Sequence, residues 1–219
     1  MNPVLRRICV ALLTASLVVL AILFAPPAIF LPVLSVFAAL LILEYAMLLA
    51  RKLPLLSPRS WPALLLGAAV ILVGITSLDF IACRRSNLLM LYIIAIVKIG
   101  DMGGFALGLS SARLMKGGNH KLCPTVSPNK SWEGLAGSIL AAMALSCLFI
   151  PITHFGVGKA LAFGLAAALL GTLGDLMESK FKRWVGVKDS ATFMPAGLGG
   201  FLDMFDSLLI APFVLAFFL

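Results

Sequence analysis

Long apolar runs separated by short polar or proline-bearing stretches dominate the chain. Runs near 8–25, 28–50, 62–82, 88–109, 135–155, 157–178 and 200–219 are each long enough, as helices of roughly 18 residues or more, to cross a bilayer. The pattern predicts an all-α, polytopic integral membrane protein of about seven transmembrane helices. The punctuation falls at APPA (25–28), at RKLPLLSPRSWP (51–62) and along 110–134, where Pro, Gly and basic residues cluster.

Composition agrees with the pattern. Hydrophobic residues make up 62% of the 219 residues and charged residues 12%, with a mean hydropathy of +1.11, whereas soluble domains run near 45–50% and about 25%. The apolar N-terminal run follows Arg6 and Arg7, so a cleaved signal peptide is the alternative to a first span. Its length, and the lack of a small-x-small site, favour a retained helix.

The net charge of +8 is distributed as a topology signal. With a cytoplasmic N-terminus, the spans place 13 of the 17 Lys and Arg residues inside, among them Arg51, Lys52, Arg59, Arg113, Lys116, Lys121, Lys130 and Lys180. Arg84, Arg85 and Lys159 fall outside, and Lys98 lies within a span. The basic balance therefore calls for the lipid bilayer as partner and for no nucleic acid. Cys9, Cys83, Cys123 and Cys147 show no CxxC spacing, and His120 and His154 stand far apart, which gives no metal-ligand pattern of that kind.

The acids divide the chain. Residues 1–95 form an N-terminal set of transmembrane helices whose only acids are Glu44 and Asp79, both expected at helix ends or interfaces. Residues 96–219 hold the other seven acids and form the expected catalytic transmembrane part with its cytoplasmic loops. An ionisable group in or beside an apolar span is expensive, so the chemistry is expected there.

Asp203 and Asp206, in GGFLDMFDSLL, are three apart and would share a helix face. Two carboxylates together in an apolar span call for a cation, and hard oxygen ligands without His or Cys suit Mg²⁺. The alternative is helix-end acids paired with Lys or Arg. Asp175 and Glu178 repeat the spacing in GDLMESKFKRW, with Lys182 four residues further on. These acids suit metal coordination, and Lys182, Arg183 and Lys188 suit a polyphosphate or, alternatively, a positive-inside anchor. Lys130, Ser131 and Glu133 precede a helix in which Gly134 and Gly137 allow close packing or a close ligand, and Asp101 lies in the Gly-rich segment GDMGGFALG. PAGLGG, with Gly199 and Gly200, is a further Gly-rich stretch without Walker context. Bases, intramembrane acids and glycines together suit a meeting of a nucleoside triphosphate with a lipid phosphate.

The ordered elements GDMGG, SPNKSWEGLAGS, GDLMESKFKRWVGVKDS and GLGGFLDMFDS, over roughly residues 100–210, resemble those of the phosphatidate cytidylyltransferases. The resemblance implies a reaction of CTP with phosphatidic acid that yields CDP-diacylglycerol and pyrophosphate. It implies that Asp175, Asp203 and Asp206 hold the catalytic metal, with Asp101 close by. Lys182, Arg183, Lys188 and Asp189 would form the nucleotide and phosphate site, together with Glu178, Ser179, Gly199 and Gly200 from the same motifs. Ser127, Lys130, Ser131, Trp132 and Glu133 would shape its cytoplasmic rim. The chain departs from the family pattern at Leu198 and Met204, where His and Arg are usual, and carries its proline at 195 instead of 196. A second, monovalent cation and a homodimer are left open, and a bacterial inner membrane with the site facing the cytoplasm is the expected location. The rivals are a CTP-dependent lipid-alcohol kinase of the dolichol or phytol kinase type and a non-catalytic lipid-binding paralogue.

Overall fold

The computed structural model describes residues 16, 19–55, 57–116, 118–188, 190 and 200–219. Four helices are long and apolar enough to cross a membrane: α1 (Pro27–Ala50), α2 (Trp61–Arg84), α3 (Asn87–Leu114) and α6 (Val157–Val185). A shorter apolar helix, α4 (Trp132–Leu148), has 17 residues, about 25 Å of rise. Leu66, Phe105 and Leu148 keep more than two thirds of their surface exposed on these helices, as lipid-facing side chains do, whereas in water such apolar exposure would drive association.

Start and stop chemistry explains the long helices. Ser86 caps α3 by accepting the Leu89 N–H at 3.1 Å, and Ser131 caps α4 through the Gly134 N–H at 3.1 Å. Gly186, in the left-handed conformation with φ 90°, ends α6. Between α3 and α4 stands a two-stranded antiparallel hairpin, β1 (Lys121–Cys123) and β2 (Ser127–Ser131), pairing Lys121 with Ser131 and Cys123 with Ser127 across an irregular register.

Two expected spans differ from the pattern. The run 135–155 is interrupted where α4 ends at Leu148 and a single turn, α5 (Ile150–Thr153), follows with Pro151 near its start. The run 200–219 is no continuous helix: α7 (Phe201–Phe205), a 3₁₀ turn (Asp206–Leu208) and α8 (Ala211–Ala216) succeed one another. Pro212 opens α8 and cannot donate a hydrogen bond back to the preceding turn, so a helix through it is broken. Most of the run 8–25 lies outside the described residues, and the boundary expected at 95/96 falls inside α3, which both parts share.

Helices α3 and α4 approach closely because small residues face each other. A Cβ on Gly137 would fall 2.6 Å from the Gly103 carbonyl oxygen, and one on Gly103 would fall 2.7 Å from that of Gly137. Such reciprocal contact is how membrane helices bring backbones together without a hydrophobic drive between them. On the far side of α4, the buried Tyr92 hydroxyl lies 2.7 Å from Ser146 Oγ and its ring packs against Phe149, Phe155 and Phe163. Around this core α3, α4 and α6 form one unit, with α1 and α2 packed on each other and α8 against α2 and α6.

Candidate active site

The hairpin and helices α3, α4 and α6 enclose a cleft of about 560 Å³. Asp101, Asn119, Lys121, Ser127, Lys130 and Asp175 give it a charged wall, and Gly104, Gly108 and Gly134 its floor. The capping of α4 by Ser131 fixes the end of β2, and Lys130, the residue before it, forms an ion pair with Asp175 of α6.

Asp175 and Glu178 share one face of α6, as their spacing requires. Together with Asp206 they bring one carboxylate oxygen each to within 4.8 Å of one another. Glu178 is buried, and its Oε2 lies 2.7 Å from Lys182 Nζ as an ion pair. Lys130 and Lys182 offset two of these three charges, and three carboxylates so close favour a further cation or a proton. An all-oxygen set without thiolate or imidazole suits a hard divalent ion of the Mg²⁺ class.

Asp203 adjoins this group on the Lys182 side, its carboxyl touching that of Glu178. It pairs with Lys182, accepts the Ser190 hydroxyl at 2.6 Å and accepts the Gly200 N–H at 2.9 Å. α7 passes into the 3₁₀ turn between Phe205 and Asp206, and both Asp203 and Asp206 reach Glu178 of α6. The structure therefore gathers Asp175 and Asp206 with Glu178, and Lys182 lies between that group and Asp203.

The other expected residues spread around this centre. Asp101 accepts the Ser207 hydroxyl at 2.8 Å and borders the cleft. Arg183 reaches the hairpin turn, its Nε 3.4 Å from the Val126 carbonyl. Lys188 is exposed, Ser179 is half-buried, and Trp132 is exposed at the start of α4. Glu133 accepts both the backbone N–H of His120 at 3.1 Å and a contact from its Nδ1 at 2.6 Å. The His120 ring is the largest influence holding the Glu133 carboxyl down at about 2. Gly200 packs under two side chains, and Asp189 and Gly199 lie outside the described residues.

Sequence reasoning missed Glu44 and Lys98. Glu44 is wholly buried and accepts the Leu202 N–H at 2.7 Å. Lys98 donates to the Met204 carbonyl and to Ser207 Oγ, each at 2.9 Å. Both are ionisable residues inside apolar runs, which is the signal that marks a functional position in a membrane. Asn119, held by its Nδ2 to the Gly108 carbonyl at 2.9 Å, carried no such signal.

Membrane-length helices closing on a cleft whose wall joins carboxylates to lysines define a polytopic membrane protein with an ionic cleft among its helices. The model of the cytidylyltransferase family matches residues 9–219, and the chain belongs to that family. It is 39% identical over 142 residues to a phosphatidate cytidylyltransferase of Staphylococcus haemolyticus, covering 64% of this chain and 52% of that protein. A protein of the same name from Staphylococcus epidermidis is 40% identical over 143 residues with the same coverage, and one from Staphylococcus aureus 39% over 142. The chain thus spans about half the length of the curated relatives it matches.

Proposed function

We propose that this chain transfers the cytidylyl group of CTP to phosphatidic acid at the cytoplasmic face of a bacterial inner membrane, forming CDP-diacylglycerol and pyrophosphate. The observation that carries the reading is Asp175, on the wall of a cleft between membrane-length helices and paired there with Lys130, with the carboxylates of Glu178 and Asp206 gathered beside it. Family membership and the names of the staphylococcal relatives support it.

A phosphatidate oxygen attacks the α-phosphorus of CTP, the bond from that phosphorus to the bridging oxygen breaks, and the electron pair departs on pyrophosphate. No protein nucleophile is required. Phosphoryl chemistry of this kind depends on alignment and on neutralising charge. Asp175, Glu178 and Asp206 would hold Mg²⁺, which when bound offsets charge on the phosphoryl oxygens. Lys130 carries a positive charge to the cleft from the hairpin side, and Lys121 and Arg183 add charge around the hairpin for the leaving group. Lys182, engaged by Glu178 and Asp203, orients the two acids. The acyl chains stay in lipid, since the outer faces of the helices are apolar.

The test uses the purified chain in detergent–lipid micelles with Mg²⁺, phosphatidic acid and CTP labelled separately at the α- and γ-phosphates. Label from the α position in lipid, with pyrophosphate released, is the expected result. Label from the γ position in lipid would identify a kinase, and no transfer by a folded protein would overturn the reading.

A further inference from the structure

Glu44 is the one wholly buried acid among the described residues, and no step above uses it. It sits in the apolar helix α1, 158 residues from its partner, and its Oε2 accepts the Leu202 N–H at 2.7 Å. A carboxylate with no exposed surface is costly unless donors receive it, and here a first-turn amide of α7 does so. The neighbouring Gly200 fits against the same carboxylate. A Cβ there would fall 2.5 Å from Glu44 Oε1 and 2.8 Å from Oε2, and would also strike Ser190 Oγ. Only glycine leaves room for the acid to reach the turn.

The turn so gripped has Asp203 and Asp206 downstream. Asp203 closes it from inside through the Gly200 N–H, and Glu44 closes it from outside through the Leu202 N–H. Four residues beyond Leu202, Asp206 supplies its oxygen to the group with Asp175 and Glu178. The far end of this short segment is held by Lys98, on the Met204 carbonyl and Ser207 Oγ, and by Asp101 on the Ser207 hydroxyl, whereas Glu44 holds its start.

We infer that Glu44 is a positioning residue for the carboxylate centre: it fixes the Gly200–Leu202 turn so that Asp206 meets Asp175 and Glu178, coupling the N-terminal helix to the ion site. The inference rests on the reading of those three acids as a divalent-cation site. Residues that orient metal ligands from the next layer typically change metal affinity by about 10–100-fold when removed.

The experiment measures Mn²⁺ binding to the detergent-solubilised protein by electron paramagnetic resonance, without substrate or turnover. Glu44→Ala is expected to weaken binding about tenfold or more, and Glu44→Gln, whose amide oxygen still accepts the Leu202 N–H, to stay within about threefold of the parent. Gly200→Ala, which displaces the acid without removing it, is expected to weaken binding as Glu44→Ala does. Tyr92→Phe, remote from the turn, serves as the stability control: it lowers the unfolding temperature and leaves Mn²⁺ affinity unchanged. Parent-like affinity in folded Glu44→Ala, or equal losses in the Ala and Gln variants, would overturn the inference. Parent binding that Asp206→Asn does not disturb would overturn the cation-site reading itself, as would a parent that binds no Mn²⁺.

Discussion

Asp203 and Asp206 stand three residues apart yet occupy opposite electrostatic settings. Asp203 is saturated: a lysine, a hydroxyl and a backbone amide all serve it. Asp206 faces two further carboxylates and accepts the N–H of its own neighbour Ser207 at 2.5 Å. A saturated acid holds structure together, whereas acids left in mutual company wait for a cation. What separates the two is their partners: Lys182, Ser190 and the Gly200 N–H serve Asp203, whereas Asp175 and Glu178 surround Asp206.

Substitutions sharpen that contrast. Asp206→Asn is expected to reduce cytidylyl transfer by roughly a thousandfold or more, as loss of a principal metal ligand does, with unfolding temperature nearly unchanged. Asp203→Asn should act the other way: stability falls by about 2–4 kcal/mol as Lys182 loses one of its two acids, read by thermal unfolding in detergent, while Mn²⁺ affinity changes much less than in Asp206→Asn. Equal effects of the two on metal affinity would erase the distinction.

Lys130→Ala removes the cation facing Asp175. It is expected to raise KM for CTP by about tenfold, the value of one charge-assisted contact, and to leave Mn²⁺ binding as strong as in the parent or stronger, since a competing charge has gone. Steady-state kinetics beside direct metal titration separate the two effects.

The smallest effect lies on the rim. The Glu133 carboxyl, held down at about 2 chiefly by His120, has a folded value below the ordinary one. Its contribution to docking the hairpin on α4 is therefore fully present above the ordinary carboxyl range and is lost as pH falls through about 2. Between pH 3.5 and 6 the Glu133 carboxyl resonance, followed by NMR with labelled glutamate, is expected not to move. A midpoint near 4.5 would show that His120 does not hold it.

The class of fold was legible because apolar length is a property of local sequence, and α1, α2, α3 and α6 follow it. The i, i+3 pair Asp175 and Glu178 was legible for the same reason, since one unbroken helix carries both. The different partners of Asp203 and Asp206 were not, because those partners lie on α6 and at Ser190, outside the local sequence. The hairpin at 121–131 escaped notice because its strands are three and five residues long and rich in Pro, Ser and Asn. Glu44 and Lys98 could be flagged as intramembrane charges, but their partners lie more than 100 residues away, and no local pattern encodes that pairing.

The most direct test of the carboxylate centre is anomalous diffraction from crystals of the protein grown with Mn²⁺. A single strong peak bounded by oxygens of Asp175, Glu178 and Asp206, with Lys182 still on Asp203, is the predicted result. A peak ligated by Asp203 with Lys182 displaced, or no peak among these acids, would contradict it.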